Sequence, residues 1–262
     1  MKIAVSGKGG LGKTFIAGSL AAYFAREGHP VIAIDTDPSP NLALTLGLSS
    51  EEAARIVPIA ENEELIRLKT GTEFSGVFRL TFSVDDIIGK YSVPTPAGPA
   101  LMVMGTVRSM GAGCTCPANS LVKALMRHLV VERNDVVILD MEAGIEHLGR
   151  GTAEHVDILL VVADANQKSL EIAGTICKLA GTSAIKRVFL VGNRIADARQ
   201  EIAVQTFAED HGIAVLAMIP FDPAVAEAGM TGKPLEENMS PALQAIGKLA
   251  ETISALDPGR VL

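Results

Sequence analysis

The sequence predicts an α/β fold in which one mostly parallel sheet of seven or eight strands is flanked by helices. Short aliphatic runs alternate with segments of helical periodicity along almost the whole chain, as βαβ units require. A glycine-rich turn follows the first aliphatic run, and aspartates end several of the later ones. With 262 residues and 48% hydrophobic content, the chain can bury a large core, and we expect a single domain over residues 1–262.

The aliphatic runs are the candidate strands, and segments with apolar residues three and four apart are the candidate helices. We predict strands at residues 2–5, 31–34, 101–104, 136–140, 157–162, 187–191 and 213–219. We predict helices from about residue 15 to 28 and at 51–55, 84–90, 118–133, 169–179, 198–211 and 241–256. Glycine, proline and threonine punctuate residues 47–100, so we expect a less regular surface elaboration there.

The composition limits the partners that we expect. A net charge of −7 and a pI of about 5.3 argue against nucleic acid or an anionic membrane, since both require a concentrated basic surface. No apolar run approaches the roughly 18 residues of a membrane span. The first strand begins within three residues of the amino end without a signal-peptide pattern, so we expect a cytoplasmic protein with reduced cysteines.

The glycine-rich turn has the Walker A spacing of a phosphate-binding loop, which is a glycine, four residues and then Gly-Lys-Thr. Glycines let successive backbone N–H groups turn toward phosphate oxygens, and the next helix adds its positive end. We expect ATP or ADP to contact Gly9, Gly10, Leu11, Gly12, Lys13, Thr14 and Phe15. Lys13 is expected to reach the β- and γ-phosphates, and the Thr14 hydroxyl to ligate Mg²⁺.

A second lysine, Lys8, directly follows the first glycine of the loop. One nucleotide does not require it, and on the rim of the loop it would point out of its own subunit. Two chains that face each other would then each lend a lysine to the other's nucleotide, as an arginine finger does in trans. This pattern predicts a homodimer in which Lys8 is catalytic. The alternative is an ordinary solvated lysine.

Aspartates at strand ends are the candidate magnesium and water ligands. Asp35 and Asp37 follow the second predicted strand, and Asp140 ends the strand at 136–140 in a Walker B pattern. The carboxyl ends of parallel strands meet at one edge, beside the phosphate-binding loop. We expect Asp37 to orient the attacking water, Asp35 to serve the Mg²⁺ shell, and Asp140 to bind Mg²⁺ through water. The roles of Asp35 and Asp37 are interchangeable at this stage, and a helix cap is the alternative for both.

Two later strand ends are candidates for the base of the nucleotide. Asn193 and Arg194 follow the strand at 187–191, and the amide of Asn193 would suit an adenine edge, although an Asx turn is an alternative. The loop Pro220-Phe221-Asp222-Pro223 follows the last strand. Its backbone is well placed to close over a base.

A Cys-x-Cys pair, Cys114 and Cys116, is the one soft-ligand motif. Two thiolates can hold a soft metal ion, but a closed tetrahedral site needs four ligands. On the two-fold axis of a dimer, two pairs would supply four thiolates for Ni²⁺ or Zn²⁺. A redox pair and two buried small residues are the alternatives. Cys177 lies in an apolar helical pattern and is expected in the core, whereas His147 is a candidate extra ligand.

Several motifs together resemble one class of dimeric ATPases. The stretch Lys8-Gly9-Gly10-Leu11-Gly12-Lys13-Thr14 resembles the deviant Walker A loop of nitrogenase iron protein, MinD and ParA, in which the first lysine acts across the dimer. Residues 35–38 resemble switch I, 140–144 resemble Walker B and switch II, and 220–223 resemble the adenine-side loop. Within this class, Cys114-x-Cys116, residues 142–151 and Asn193-Arg194 are similar to the CooC-type maturation ATPases of nickel-containing carbon monoxide dehydrogenase.

This resemblance implies that ATP-dependent dimerisation brings two cysteine pairs together to hold one Ni²⁺ or Zn²⁺. It further implies that hydrolysis couples to nickel delivery into carbon monoxide dehydrogenase as the client. A MinD/ParA-like positioning ATPase is an alternative, although the last residues lack a basic amphipathic helix. An iron–sulfur electron-transfer ATPase related to nitrogenase iron protein, a dimeric ATPase with an inert cysteine pair, and an accessory ATPase of another nickel enzyme are further alternatives.

Overall fold

Strands and helices alternate along the chain, as in other βαβ proteins. A computed structural model describes residues 1–37, 41–72, 78–79, 82–105, 117–132, 135–141, 155–183, 185–231, 235 and 240–256. In these ranges the strands are β1 (Lys2–Gly7), β2 (Val31–Asp35), β3 (Val93–Pro94), β4 (Ala100–Val103), β5 (Val136–Asp140), β6 (Ile158–Ala163), β7 (Val188–Ile195) and β8 (Val215–Pro220). The α-helices there are α1 (Lys13–Arg26), α2 (Leu42–Thr45), α3 (Ser50–Ala54), α4 (Glu63–Thr70), α5 (Asp85–Tyr91), α6 (Pro117–Arg127), α7 (Gln167–Gly181), α8 (Ala198–Asp210), α9 (Pro223–Thr231) and α10 (Pro241–Leu256).

The strands form one sheet in the order β3-β4-β2-β5-β1-β6-β7-β8. Neighbouring strands are parallel except β3 and β4, which are antiparallel. The predicted mostly parallel sheet of seven or eight strands is therefore confirmed. At its carboxyl edge Asp35 of β2 is in register with Asp140 of β5, and Asp140 is in register with Val5 of β1. Three adjacent strands thus end beside the loop that leads into α1.

Alternate residues of the central strands face two hydrophobic cores. Ile3 and Val5 of β1 lie in one core together with Phe24 of α1 and Leu249 of α10. Ala4 lies in the other core, which α6, α7 and α8 cover. Burial on both faces explains why these strands are continuous aliphatic runs instead of alternating apolar and polar residues.

Residues 47–100 are more regular than the sequence indicates. They contain α3, a 3₁₀ turn (Ile59–Glu61), α4, α5 and β3. Ile59, Leu65 and Ile87 are almost fully buried in the same core as α6, so the predicted surface elaboration also covers part of one sheet face. The sequence does not reveal this because the helices are short, and α4 and α5 bury only two side chains each.

The remaining elements agree with the predicted ones to within a few residues, with three exceptions. Helices α2 and α9 are absent from the prediction, since α2 has only four residues and α9 has no buried side chain and no apolar stripe. A π-helical turn (His128–Glu132) follows α6 in the place of a continuous helix. No helix in the described part of the chain is long and apolar enough to cross a membrane.

Gly7, the last residue of β1, is a position where the fold has no room for a side chain. Its φ is +145°, and a Cβ there would lie 2.4 Å from the carbonyl oxygen of Val162 on β6. Gly7→Ala should therefore lower the free energy of unfolding by about 2–4 kcal/mol, through overpacking and backbone strain. Urea unfolding followed by circular dichroism measures the change.

Gly89→Ala is the matched control for this substitution. Gly89 lies inside α5, and a Cβ there would meet no atom within 4 Å. The same change should raise the free energy of unfolding by about 0.5–1 kcal/mol, because alanine is the better helix former. Equal effects at the two positions would contradict the close approach of β1 and β6 at Gly7.

Candidate nucleotide-binding site

The loop between β1 and α1 has the backbone conformation of a phosphate-binding loop. Gly10 and Gly12 have φ values of +80° and +86°, a region that glycine enters without steric cost. Gly12 is the residue before α1, and no side chain caps this helix end. The first N–H groups of α1 therefore have no side-chain acceptor, and they carry the partial positive charge of a helix amino end. A helix end of this kind binds phosphate.

The two lysines of the loop lie in different surroundings. Lys13 is 7% exposed, and its ammonium Nζ donates to the carbonyl oxygen of Lys8 at 3.4 Å. Among the described residues this long bond to a neutral carbonyl is the one hydrogen bond of the Lys13 ammonium, so the buried charge suits a phosphate oxygen. The side chain of Lys8 is exposed, as expected for a lysine on the rim of the loop.

Asp35 is buried at the end of β2, and backbone groups occupy its carboxylate. Its oxygens accept N–H hydrogen bonds from Asp37, Asn41 and Leu42 at 2.9–3.0 Å. Burial raises the pKa of Asp35 above its usual value, and these hydrogen bonds oppose the rise. The carboxylate thus orders the turn that leads into α2, which agrees with the capping alternative. The assignment of Asp35 to a Mg²⁺ shell stays a prediction.

Asp140, at the end of β5, has a buried carboxylate oxygen without a hydrogen bond among the described residues. It is 2% exposed, and its Oδ1 has no hydrogen-bond partner among the residues that the structure describes. Burial raises the pKa of Asp140 to about 7, and the negative charges of Asp35 and Asp37 add to the rise, whereas Thr14 and Lys13 lower it. A buried oxygen without a partner, close to the Thr14 hydroxyl, fits a hard cation such as Mg²⁺.

Thr36 connects the turn after β2 to the end of β5. Its N–H and its hydroxyl both donate to the carbonyl oxygen of Asp140, at 3.0 and 2.9 Å. Asp37 follows, half-buried, and its charge acts on the Asp140 carboxyl. The structure therefore brings Asp35, Asp37 and Asp140 together beside Lys13 and Thr14. Sequence reasoning missed Thr36, although its place between two aspartates of the motif was a signal.

The predicted base-side residues lie at the ends of β7 and β8. Asn193 is 5% exposed, and its Nδ2 donates to the carbonyl oxygen of Leu11 at 2.6 Å. Arg194 and Phe221 are exposed. Base recognition by Asn193, Arg194 and the 220–223 loop stays a prediction, and the bond from Asn193 to the phosphate-binding loop is a contact that the sequence does not reveal.

Asp222 has an internal role that the sequence analysis did not anticipate. Its carboxylate accepts from the Ser240 hydroxyl at 2.5 Å and from the N–H groups of Ala224 and Ala242 at 3.0 and 3.4 Å. The side chain of Asp222 thereby connects the start of α9 to the start of α10. Any contact of this residue with a base would come from its backbone.

The predicted transition-metal ligands fall outside the described ranges. These are Cys114, Cys116 and the candidate extra ligand His147. Among the described residues no group of three or more His, Cys, Asp or Glu could hold a metal ion. Cys177 is buried in α7 as predicted, and burial raises the pKa of its thiol to about 11.

Three features together define a P-loop ATPase. They are the loop between β1 and α1, the buried Lys13 and the aspartates at adjacent strand ends. The family model of the CobQ/CobB/MinD/ParA nucleotide binding domain matches residues 2–235, and the chain belongs to this family. The expected P-loop ATPase fold is therefore confirmed.

Two relatives and one solved structure are similar to the chain. It is 42% identical over 234 residues to the carbon monoxide dehydrogenase accessory protein CooC of Rhodospirillum rubrum, with 88% of each chain covered. It is 40% identical to an uncharacterised ATP-binding protein of Methanocaldococcus jannaschii, with 98% of each chain covered. The Aquifex aeolicus MinC:MinD cell division protein complex has a similar structure, with a TM-score of 0.70 at 21% identity over 97% of this chain and 95% of that one.

The raised pKa of Asp140 predicts that the nucleotide-free protein becomes less stable as the pH rises. Because the folded pKa is about 7 and the ordinary value 3.8, the carboxyl is unfavourable to the fold once it ionises. Its contribution to stability is present below about pH 4 and is lost as the pH rises through about 7. Asp140→Asn replaces the carboxyl with a group that does not ionise. The free energy of unfolding of this variant should therefore rise by about 2–3 kcal/mol relative to that of the wild type between about pH 5 and about pH 8.

Urea unfolding in EDTA at the two pH values measures this difference. Asp86→Asn is the matched control, since Asp86 is partly exposed and ion pairs with Lys69 and Lys90 lower its pKa to about 2. Its substitution should produce no advantage that grows over this pH range. A constant difference between Asp140→Asn and wild type would contradict the burial of an ionisable group at this position.

Proposed function

We propose that the chain is a Mg²⁺-dependent ATPase that binds nickel between two subunits and assists nickel insertion into carbon monoxide dehydrogenase. The observation that carries this proposal is the 42% identity to the accessory protein CooC over 88% of both chains. The Cys114-x-Cys116 pair supplies the soft ligands that a nickel carrier needs. Nickel is the cargo of such a protein, and ATP is its energy source.

In the nucleotide site, each residue has a role that follows from its position. Lys13 and the backbone of Gly9, Gly10, Leu11 and Gly12 would bind the phosphates, and Phe15 continues this contact into α1. Thr14 and Asp140 would hold Mg²⁺, Asp140 through water, where the ion supplies positive charge next to the β- and γ-phosphates. Asp37 would orient the attacking water. Occupation of the Asp35 carboxylate by backbone N–H groups favours Asp37 over Asp35 for this role.

The exposed side chain of Lys8 supports catalysis across a dimer interface. An ammonium on the rim of the loop is available to a nucleotide on a facing subunit, where it would stabilise the negative charge that develops on the transferred phosphoryl group. The same two-fold relation would bring together four thiolates, two from each chain. Nucleotide state and metal affinity would then be coupled, because both depend on the same pair of facing surfaces.

Lys8→Ala should lower kcat for ATP hydrolysis by about a hundredfold or more, because residues supplied in trans to a phosphoryl group contribute factors of this size. The dissociation constant for ADP should change little, since the loop itself holds the phosphates. Steady-state hydrolysis and ADP titration calorimetry measure the two quantities. Lys178→Ala, an exposed lysine on α7, is the control and should alter neither. Equal loss of binding and turnover would contradict the role of Lys8.

A mixing experiment tests whether Lys8 acts in trans. Lys8→Ala retains Asp37, and Asp37→Asn retains Lys8, so each variant alone should hydrolyse ATP poorly. In a mixed dimer one site combines its own Asp37 with the partner's Lys8, and mixing should restore measurable hydrolysis. Activity that stays at the level of the separate variants would contradict an exchange of lysines between subunits.

The cysteine pair should bind about one Ni²⁺ or Zn²⁺ per two chains, because four thiolates complete a tetrahedral site. Cys114→Ser/Cys116→Ser should lose this metal, whereas Cys177→Ala should keep it, since Cys177 is buried in α7. Size exclusion with metal analysis, with and without ATP, measures stoichiometry and dimer formation together. Retention of the metal by the double variant would leave a dimeric ATPase with an inert cysteine pair as the better description.

A further inference from the structure

Asn193 connects the end of β7 to the phosphate-binding loop, which lies 182 residues earlier in the chain. Its Nδ2 donates to the carbonyl oxygen of Leu11 at 2.6 Å, and both residues are buried, at 5% and 6% exposure. The partner is a carbonyl, which only accepts hydrogen bonds, so the amide nitrogen of Asn193 must face it. A short hydrogen bond away from water contributes more than one on the surface.

The backbone of β7 is irregular at the point where this contact forms. The pairing of β7 with β8 shifts register between Gly192 and Ile195. Within that shift Arg194 has a φ of +58°, the one positive φ of a non-glycine residue among those described. Its side chain is exposed, whereas that of Asn193 is buried. A left-handed residue costs free energy when it is not glycine, so this conformation persists only because the surrounding structure holds it.

The contact also explains the glycine at position 12. A Cβ on Gly12 would lie 2.6 Å from Nδ2 of Asn193, so the amide occupies the space that any side chain would need. The carbonyl of Leu11 and the N–H of Gly12 belong to one planar trans peptide and point in opposite directions. By holding the Leu11 carbonyl, Asn193 directs the N–H of Gly12 away from β7. Gly9, Gly10 and Gly12 have no side chains, so they cannot restrict the peptide between Leu11 and Gly12 in the same way.

We propose that Asn193 is a positioning residue for the phosphate-binding loop, and that it strengthens binding of the polyphosphate chain whatever base is attached. This positioning role rests on the nucleotide-binding part of the proposed function and is independent of the metal, the dimer and the client enzyme. It differs from the base contact that the sequence predicts for the same residue. Asn193 can meet both demands, because the contact to Leu11 uses one N–H of its amide and leaves a second N–H and a carbonyl oxygen for a base.

Inorganic tripolyphosphate separates the two roles, since it carries the phosphates without a base. Wild type and Asn193→Ala are titrated by calorimetry with Mg²⁺ and with ATP, GTP or tripolyphosphate. If Asn193 positions the loop, its loss should weaken all three by a similar factor of about ten, the size expected for one buried hydrogen bond. If Asn193 only reads the base, the variant should bind tripolyphosphate as wild type does, and its preference for ATP over GTP should change. That result would overturn the inference.

Amide hydrogen exchange of residues 9–14 in the nucleotide-free protein provides a second readout. Exchange should become faster in Asn193→Ala if the hydrogen bond to Leu11 restrains the loop, and unchanged exchange would count against the inference. Asn62→Ala is the matched control, because the side-chain amide of Asn62 also takes part in a hydrogen bond, accepting at Oδ1 from the N–H of Leu65 at the start of α4. It should leave both readouts unchanged. Asn193→Ser, whose shorter side chain cannot span the contact, replaces the alanine variant if the latter does not fold.

Failure of this inference is distinguishable from failure of the proposed function. A wild-type protein that binds ATP and tripolyphosphate, with an Asn193→Ala variant that binds both equally well, would overturn the positioning role and leave the ATPase proposal intact. A wild-type protein that binds no ATP would overturn the ATPase proposal and the inference together.

Discussion

Two buried aspartates side by side at one edge of the sheet are the electrostatic constraint on which the rest of the site depends. Asp35 and Asp140 end adjacent strands in register, and like charges in a region of low dielectric oppose each other's ionisation. Parallel strands require this proximity, because their carboxyl ends meet at one edge. The surrounding groups therefore have to compensate for negative charge, and they do so differently for the two residues.

Backbone N–H groups compensate for the charge of Asp35. Three of them donate to its carboxylate from the turn that follows β2, so its charge orders local structure. Asp140 has no such set of donors. Thr14 and Lys13 act on it from the phosphate-binding loop, and its Oδ1 stays without a hydrogen bond among the described residues. The carboxylate of Asp35 is thus satisfied within the fold, whereas that of Asp140 keeps an oxygen that would suit a cation.

Thr36 couples these two environments. Because both of its donors bond to the carbonyl of Asp140, a shift at the end of β5 would displace the turn that holds Asp37. A change at the phosphate end of the site can therefore reach the residue proposed to orient water. Asn193 makes a second long-range contact at the site, from β7 to Leu11 of the phosphate-binding loop.

The parallel sheet, the phosphate-binding loop and the family could be predicted from the amino-acid sequence, because they depend on local patterns. Continuous aliphatic runs predict strands that are buried on both faces, although not their order in the sheet, and the Walker A spacing predicts the phosphate-binding turn. The hydrogen bonds and burial of the residues at the strand ends depend on the tertiary structure. From the sequence, Asp35 and Asp140 are both expected to serve Mg²⁺, and Asn193 is expected to contact a base or to form an Asx turn. Their hydrogen-bond partners come from residues up to 182 positions away, and burial, which sets the pKa of Asp140, depends on how the whole sheet packs.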